Sequence, residues 1–196
     1  MNLIFIRHGY TKENYEGRYL GKTDVSLCKD GVDQLSRLSK EGIYPDIHGL
    51  FSGPMTRCQE TGEILYPAIK PVIIDELTEM DFGDFECKTY QELNGNPDYQ
   101  RYIDSGGETP FPNGENKADF IKRSQRGFER IVDIISKDND NLTWGIICHG
   151  GNIMAILSEN YGGEYFNYTC KPGQGYVCNF DINSKKITDI KPLGRI

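Results

Sequence analysis

The stretch "LIFIRHGYT", residues 3–11, decides how the rest of the chain is interpreted. Its apolar part predicts a buried strand over 2–6, because short runs of branched and aromatic residues are typical of strands covered on both faces. The strand is followed at once by Arg7, His8 and Gly9. Ligands of α/β proteins bind beyond the carboxyl ends of strands, so this arrangement indicates a binding site.

Strands and helices alternate along the rest of the sequence. Apolar runs predict strands over 47–53, 71–75 and 142–148, and helical periodicity predicts helices over 28–42, 54–66, 116–137 and 150–163. Two last strands, 175–182 and 186–193, are expected near an edge of the sheet. The alternation predicts an α/β fold, a three-layer α/β/α sandwich with a mainly parallel sheet.

Length and composition suit one domain, residues 1–196, with a cap-like insertion at about 80–115 that is rich in glycine, proline and tyrosine. The net charge of −7 argues against nucleic acid and anionic membranes as partners, since both need basic patches. No apolar run approaches the ~18 residues of a membrane helix. The six cysteines have no regular spacing, which predicts reduced thiols in a cytoplasmic protein.

Three of the predicted strand ends carry groups that suit phosphate. The first ends on Arg7 and His8, the second leads into a helix that carries Arg57, and the fourth leads to His149 and Gly150. Two arginines and two histidines in one crevice favour a dianion, because a guanidinium fork matches phosphate oxygens. A glycine at a helix start lets backbone amides approach an anion. If these strands are neighbours, they form a phosphoryl-binding pocket.

A histidine in such a pocket is a candidate nucleophile. Neighbouring cations lower the pKa of an imidazole ring and keep it neutral, the form that attacks phosphorus. The leaving alkoxide needs a proton, which a carboxylic acid near the rim could supply. Spacing alone does not choose between six acids in 75–86: Asp75, Glu76, Glu79, Asp81, Asp84 and Glu86. Three histidines without HxH or HExxH spacing predict no metal site.

Four blocks, in order, carry a resemblance to a known family: "RHGYTKEN" with "GKTDVSLCKDG", then "SGPMTRCQET", "LTEMDFGDFE" and "CHGG". Together they resemble the histidine phosphatase superfamily, which includes cofactor-dependent phosphoglycerate mutases and α-ribazole-phosphate phosphatases. The resemblance spans nearly the whole chain and implies a phosphoglycerate mutase-like fold. It also implies a phosphomonoesterase that acts on a small phosphorylated metabolite through a phosphohistidine, without a cofactor.

The resemblance further implies roles for individual residues. His8 would be the nucleophile, and Glu79 would protonate the leaving alcohol. The phosphate ligands would be Arg7, Arg57 and His149. The further substrate contacts would be Asn14, Gly21 and Gly150. No metal is implied.

Departures from the mutase pattern favour the phosphatase branch. Leu20 stands before Gly21, where mutases usually carry a small hydroxyl residue. The segment 80–115 is short and contains only two basic residues, Lys88 and Arg101. The closest branch is therefore the α-ribazole-phosphate phosphatase type, with α-ribazole phosphate as a candidate substrate.

Two other functions stay open, a cofactor-dependent phosphoglycerate mutase and a phosphate-binding regulatory protein without catalysis. The substrate rim is open as well, because the bulky Tyr10 follows directly on the "RHG" block. Tyr90, Tyr99 and Tyr102, with Phe111, either line a substrate cap or form the small core of the insertion. The sequence does not predict the oligomeric state.

Overall fold

A six-stranded sheet forms the centre of the computed structural model, which describes residues 1–138 and 141–193. Its strands are β1 (Asn2–Arg7), β2 (Gly49–Ser52), β3 (Val72–Ile73), β4 (Thr143–Cys148), β5 (Gly175–Asp181) and β6 (Lys186–Leu193). Their order is β3-β2-β4-β1-β5-β6. The four strands β3, β2, β4 and β1 are parallel, and β5 and β6 extend the sheet in antiparallel pairs. The predicted mainly parallel sheet, with the last two strands at an edge, is confirmed.

Helices cover both faces of this sheet. They are α1 (Lys12–Tyr15), α2 (Lys29–Lys40), α3 (Thr56–Leu65), α4 (Tyr90–Leu93), α5 (Pro97–Asp104), α6 (Lys117–Ile135) and α7 (Gly150–Asn160). Three short 3₁₀ turns span Asp75–Leu77, Gly83–Phe85 and Tyr165–Tyr168. In the described part of the chain, no helix has the length and apolarity needed to cross a lipid bilayer.

The two faces of β1 explain the layers. Side chains alternate along a strand, so Leu3 and Phe5 pack in one buried cluster with residues of α6 and α7. Ile4 and Ile6 pack in the other cluster with Leu35 of α2 and with residues of α3. Both faces of the strand are apolar, which is why it appears in the sequence as a continuous apolar run. The predicted three-layer sandwich is confirmed.

Some element boundaries differ from those predicted. The third strand is only Val72–Ile73 instead of 71–75, because it lies at the edge of the sheet, pairs with β2 alone and turns into a 3₁₀ helix at Asp75. Helix α7 ends at Asn160 rather than at 163, before two glycines with positive φ. The sequence did not predict α1 or the 3₁₀ turn at Tyr165–Tyr168.

Residues 80–115, here called the cap segment, contain α4, α5 and a cluster of aromatic side chains. Phe85 and Phe111 are buried in this cluster with Leu93 and with Phe120 of α6. The rings of Phe85 and Phe111 meet edge to face, 5.7 Å apart. Rings pack against rings without a regular period, so the cap segment gives no helical or strand pattern of any length in the sequence. Its standing as an insertion in a single domain stays a prediction.

Candidate active site

The carboxyl ends of three strands meet because β4 lies between β1 and β2 in the sheet. Arg7 at the end of β1 pairs with Cys148 at the end of β4. His8 and His149 follow these neighbouring positions, and their rings lie 5.1 Å apart, edge to face. The convergence that the strand-end rule predicted is therefore present.

His8 is buried, and its orientation is fixed by its own turn. Its Nδ1 lies 2.7 Å from the carbonyl oxygen of Gly9. The tautomer that donates this hydrogen bond keeps Nε2 as the basic nitrogen. Burial lowers the pKa of the His8 ring well below its usual range, and Arg57 and Arg7 lower it further. A neutral, oriented ring of this kind is suited to nucleophilic attack.

Arg57 lies in the first turn of α3, and its side chain is fully buried. One terminal nitrogen donates to the carbonyl oxygen of Thr23 at 2.9 Å, and the other donates to that of Gly21 at 2.6 Å. A guanidinium group has five N–H donors, so two carbonyls leave donors for a ligand.

A hydroxyl group connects α3 with the turn that carries His8. Thr61 Oγ1 accepts a hydrogen bond from the amide of Gly9 at 3.0 Å and donates one to the carbonyl of Arg57 at 2.7 Å. Thr61 is itself completely buried. The amide that follows His8 and the carbonyl of Arg57 are therefore hydrogen-bonded to the same oxygen atom.

Arg7 and His149 complete the group of predicted phosphate ligands. Nη1 of Arg7 donates to the carbonyl of Cys170 at 2.7 Å, and Gly150 packs closely against the guanidinium. His149 precedes α7 as its N-cap residue, and its Nε2 lies 3.5 Å from the sulfur of Cys58. Burial is the main cause that lowers the pKa of His149 well below its usual range.

Three polar atoms in this group are buried without a hydrogen-bond partner among the described residues. They are Nε of Arg7, Nε of Arg57 and Nδ1 of His149. Buried polar atoms are nearly always hydrogen-bonded in folded proteins, so three such atoms on side chains around one ring indicate a polar ligand. With two guanidinium groups present, the ligand that fits is an oxyanion.

Glu79 contacts the start of the helix that follows His149. Its Oε2 accepts a hydrogen bond from the amide of Gly151 at 3.3 Å, and its Oε1 accepts one from the amide of Met80 at 3.0 Å. Burial raises the pKa of the Glu79 carboxyl, against the opposite effect of these amides and of the nearby arginines. A carboxyl group with a raised pKa can hold the proton that a leaving alkoxide needs. The contact with Gly151 places Glu79, out of the six candidate acids, at the start of the helix that follows His149.

A family model described as histidine phosphatase superfamily (branch 1) matches residues 3–186. The chain belongs to this superfamily. An adenosylcobalamin/α-ribazole phosphatase of Escherichia coli (strain K12) is 27% identical over 195 residues, covering 96% of this chain and 93% of the relative. A protein named putative phosphoserine phosphatase 2, from Hydrogenobacter thermophilus, is 27% identical over 159 residues, covering 79% of this chain and 76% of the relative.

A solved structure confirms the fold of this histidine phosphatase. The crystal structure of the α-ribazole phosphatase from Shigella flexneri matches with a TM-score of 0.86 at 22% sequence identity, covering 100% of this chain and 96% of that one. The predicted family is therefore confirmed, with α-ribazole phosphatases among the relatives as predicted. Family and relatives support phosphatase activity.

Arg123 of α6 holds the segment that carries Glu79 and was not predicted from the sequence. Its guanidinium donates to the carbonyls of Glu76, Thr78 and Glu79 at 2.7, 2.8 and 3.3 Å. The same group forms two hydrogen bonds with the Glu115 carboxylate, at 3.0 and 2.7 Å. No local pattern distinguishes Arg123 from the other basic residues of its helix, so the sequence carried no signal for it.

Gly21, which the resemblance assigned to substrate binding, lies behind Arg57 in this histidine phosphatase. Its carbonyl accepts the hydrogen bond from Arg57, and its amide donates to Glu86 at 3.2 Å. A side chain at this position would overlap the carbonyl oxygen of Met80, so only glycine fits. The structure gives Gly21 a supporting position, and its contact with substrate stays a prediction.

Asn14 and Gly150 are close to the ligand group, but their predicted contacts with substrate also stay predictions. Thr11 is the N-cap residue of α1, and Oδ1 of Asn14 accepts a hydrogen bond from the Thr11 amide at 3.2 Å. Asn14 also lines a cavity that Arg7 borders. Gly150 is the first residue of α7 and packs against Arg7.

Two cavities meet at Arg7 and Tyr19. The first, of about 610 Å³, is also lined by Tyr10 and Asn14. The second, of about 510 Å³, is also lined by Glu79 and by several aromatic side chains. A ligand bound to Arg7 can therefore extend in two directions, of which only the second leads past Glu79.

The tyrosines left open by the sequence have different surroundings. Tyr99 packs in the cap segment, and Tyr102 both contacts the ring of Phe111 at 4.5 Å and lines the 510 Å³ cavity. Tyr90 is 62% exposed and lines neither cavity. Tyr10 stacks on Tyr15 at 4.5 Å beside the 610 Å³ cavity. The aromatic set thus serves as both core and cavity wall, with Tyr90 in neither.

Proposed function

We propose that this histidine phosphatase hydrolyses a small phosphorylated metabolite through a phosphohistidine formed on His8. The observation that carries the proposal is a set of three buried polar atoms, on Arg7, Arg57 and His149, which have no hydrogen-bond partner in the described part of the chain and surround the oriented His8 ring. Phosphoryl transfer depends mainly on positioning and charge neutralisation. These side chains would supply both for the oxygens of a phosphate group.

Glu79 would act in both halves of the reaction. In the first, Nε2 of His8 bonds to phosphorus, the ester P–O bond breaks, and protonated Glu79 gives its proton to the leaving oxygen. In the second, the Glu79 carboxylate takes a proton from water, the water oxygen bonds to phosphorus, and the N–P bond breaks. Inorganic phosphate leaves, and His8 and Glu79 return to their starting forms.

The proposal also includes a substrate, a cellular location and a domain organisation. α-Ribazole phosphate is the candidate substrate, since relatives from two comparisons are named for it. The proposal extends to a cytoplasmic enzyme of one domain, with Arg7, Arg57 and His149 as phosphate ligands. The two rival functions are a phosphoglycerate mutase and a phosphate-binding protein without catalysis.

A trapping experiment tests the proposal. The protein is mixed with phenyl phosphate that is radiolabelled at phosphorus, and the reaction is quenched in alkali. The protein is then assayed for a bound label that acid releases. We expect a label in the wild type and none in His8→Ala, with kcat lower by at least about 10³-fold, because the nucleophile is absent. His48→Ala is the matched control, since His48 is exposed and contacts the amide of Thr143 instead.

Two results would contradict the proposal. Absence of both label and turnover in the wild type would favour a non-catalytic phosphate-binding protein. Conversion of 3-phosphoglycerate to 2-phosphoglycerate that requires bisphosphoglycerate and outpaces phosphate release would favour a mutase.

A further inference from the structure

We propose that the 510 Å³ cavity binds the leaving alcohol, and that this alcohol carries a planar aromatic ring. The inference rests on the proposed function. An acid must lie within hydrogen-bond reach of the oxygen that it protonates. Glu79 lines this cavity and is not among the residues that line the 610 Å³ cavity, although Arg7 lines both. A phosphate held by Arg7 would therefore direct its ester oxygen into the cavity beside Glu79.

Aromatic side chains from separate parts of the chain surround this space. Tyr19 follows α1, Phe82 and Tyr102 belong to the cap segment, and Tyr165 and Phe166 lie in the 3₁₀ turn after α7. Aromatic rings attract one another in edge-to-face and offset-stacked arrangements, which these walls offer to a planar ring. A volume of about 510 Å³ lies within the range of small-molecule sites.

The charges in the cavity disfavour a small acidic alcohol. Apart from Arg7 and Glu79 at the reacting end, Lys117 is the one charged side chain that lines it in the described part of the chain. Lys117 is paired with the Glu108 carboxylate at 2.7 Å and lies over the Tyr165 ring, 5.4 Å from its centroid. A carboxylate on the leaving alcohol would have to displace Glu108 to gain a cation.

The outer rim of the cavity is apolar and accessible. Ile103 of α5 is 50% exposed and Phe166 is 66% exposed, although both line the cavity. Large apolar side chains exposed together beside a polar site are typical of ligand contacts. Because neither residue is buried in the core, both can be replaced with little effect on folding.

The test compares kcat/KM for 2-phenylethyl phosphate with kcat/KM for ethyl phosphate, two alkyl esters that differ in the ring. We expect the wild type to prefer the aromatic ester by about tenfold or more, the scale of discrimination that an apolar pocket provides. Phe166→Ala should lower this ratio several-fold, and Phe166→Ala combined with Ile103→Ala should lower it further. Tyr90→Ala, which removes an exposed ring outside both cavities, should keep the wild-type ratio.

Three outcomes would overturn the inference and leave the phosphatase proposal intact. They are equal kcat/KM for the two esters, an unchanged ratio in the double variant, and faster release of phosphate from 3-phosphoglycerate than from 2-phenylethyl phosphate. The outcome that defeats the proposed function is different, since it requires no turnover of any ester and no acid-labile label.

Glu86 supports a second inference through independent contacts. Its Oε2 accepts hydrogen bonds from the amides of Gly21 and Thr23 at 3.2 and 3.3 Å and from the Thr23 hydroxyl at 2.7 Å. Its Oε1 accepts from the amides of Lys22 and Phe82 at 3.1 and 3.0 Å. One carboxylate therefore receives five hydrogen bonds and fixes three consecutive residues, 21–23.

The same three-residue segment holds Arg57 through the carbonyls of Gly21 and Thr23. Glu86 holds the amides of the same two residues and so fixes the positions of their carbonyl groups. We infer that Glu86 is a positioning residue, which orients the Arg57 guanidinium toward phosphate without contacting the reacting atoms. Hydrogen bonds to a carboxylate are roughly twice as strong as those between neutral groups, so the charge on Glu86 contributes to this effect.

The test measures competitive inhibition by inorganic phosphate together with kcat and KM for phenyl phosphate. Glu86→Ala should raise the inhibition constant and KM by roughly tenfold or more, with a smaller change in kcat, because phosphate binding is what Arg57 supplies. Glu86→Gln retains one acceptor oxygen and should give an intermediate value. Asp84→Asn is the matched control, because the Asp84 side chain is exposed and binds Asn113.

A purely structural role predicts a different result. Glu86→Gln would then lower the melting temperature but leave the inhibition constant of phosphate unchanged in the folded protein, and this outcome would overturn the inference. Glu86→Gln decides the question even if Glu86→Ala does not fold.

Discussion

Two regions of the molecule, the cap segment and the phosphate end of the sheet, are held together by different forces. The phosphate end is the group formed by Arg7, His8, Arg57 and His149 at the carboxyl ends of β1, β2 and β4. At the phosphate end, polar side chains are fixed by backbone groups, as Arg57 is by two carbonyls and His8 by the carbonyl of Gly9. In the cap segment, rings are fixed by other rings, as Phe85 is by Phe111. Hydrogen bonds are directional, whereas apolar contacts tolerate changes of shape. The phosphate end therefore suits the binding of one fixed chemical group, the phosphate. The cap segment suits the binding of a group that can differ between enzymes.

This difference leads to opposite expectations for substitutions. Changes at the phosphate end should alter chemistry more than stability, and changes in the core of the cap segment should alter stability more than chemistry.

Glu79→Gln should lower kcat/KM for an alkyl phosphate, which reports the phosphorylation of His8, by about 10²–10⁴-fold, the usual contribution of general acid–base catalysis. The loss of kcat/KM should be much smaller for p-nitrophenyl phosphate, because p-nitrophenolate leaves without a proton, whereas kcat should fall on both esters because Glu79 also activates water. Steady-state kinetics on both esters, with Glu76→Gln as the control, measures the difference. An equal loss of kcat/KM on both esters would contradict the role of Glu79 as the acid.

Phe85→Ala should lower the free energy of unfolding by about 3–5 kcal/mol, because a buried phenyl ring leaves a cavity that the cap segment cannot close. Phe85 is 1% exposed. Urea unfolding measures the loss, with Tyr90→Ala as the exposed control. Inhibition by inorganic phosphate should be unchanged in the folded variant as long as Glu86 keeps its contacts with residues 21–23, and weaker inhibition would show that the Phe85 ring also supports Glu86.

Arg123→Lys should lower kcat by roughly tenfold and leave inhibition by phosphate nearly unchanged. Lysine cannot reproduce the guanidinium fork, so some carbonyls of the Glu79 segment and one oxygen of the Glu115 carboxylate would lose their hydrogen-bond donors. Leaving a buried polar group without a partner costs about 1–3 kcal/mol of stability. Arg126→Lys, at an exposed position of the same helix, is the control. A loss of phosphate binding equal to the loss of kcat would contradict a specific effect on the acid.

The smallest predicted effect is on the titration of His8. Removing the cation in Arg57→Met favours the protonated ring and should raise the pKa of His8. The pKa should still stay below its usual value, because burial is a larger cause of the lowering than Arg57 is. NMR titration of the ring in the free protein measures the change, with Arg126→Met as the control. Full return to the usual value would show that charge, not burial, dominates.

The same directions predict the pH dependence of the wild type. The nucleophile must be neutral, and the lowered pKa of His8 preserves that form into acidic solution. The acid must be protonated, and the raised pKa of Glu79 preserves that form to higher pH than for an ordinary glutamate. Phosphorylation of His8 should therefore be fastest between these two pKa values, and the pH profile of kcat/KM measures both limits.

Much of the phosphate end could be predicted because its residues follow the ends of strands directly in the sequence. Apolar runs predict β1 and β4, parallel pairing brings their ends together, and the residues that follow are adjacent in the sequence, as Arg7 and His8 are. Choosing Glu79 from the six acids required the resemblance to the histidine phosphatase superfamily. The contact between Glu79 and Gly151 joins distant parts of the chain, so sequence spacing does not reveal it.

Other contacts had no such signal. Arg123 and Glu86 act on backbone groups far away in the sequence, so neither periodicity nor spacing indicates what they hold. Glu86 was among the candidate acids, but its role as an anchor depends on the path of residues 21–23. The cap segment was predicted only as an insertion rich in glycine, proline and tyrosine, because ring-on-ring packing follows three-dimensional shape rather than sequence period.

The hydroxyl of Thr61 has a mechanical consequence. Since it bonds the turn of His8 on one side and the backbone of Arg57 on the other, a small shift of α3 against the sheet would move both residues together. Loss of this one hydroxyl would therefore disturb the turn of the nucleophile and the backbone of a phosphate ligand at the same time.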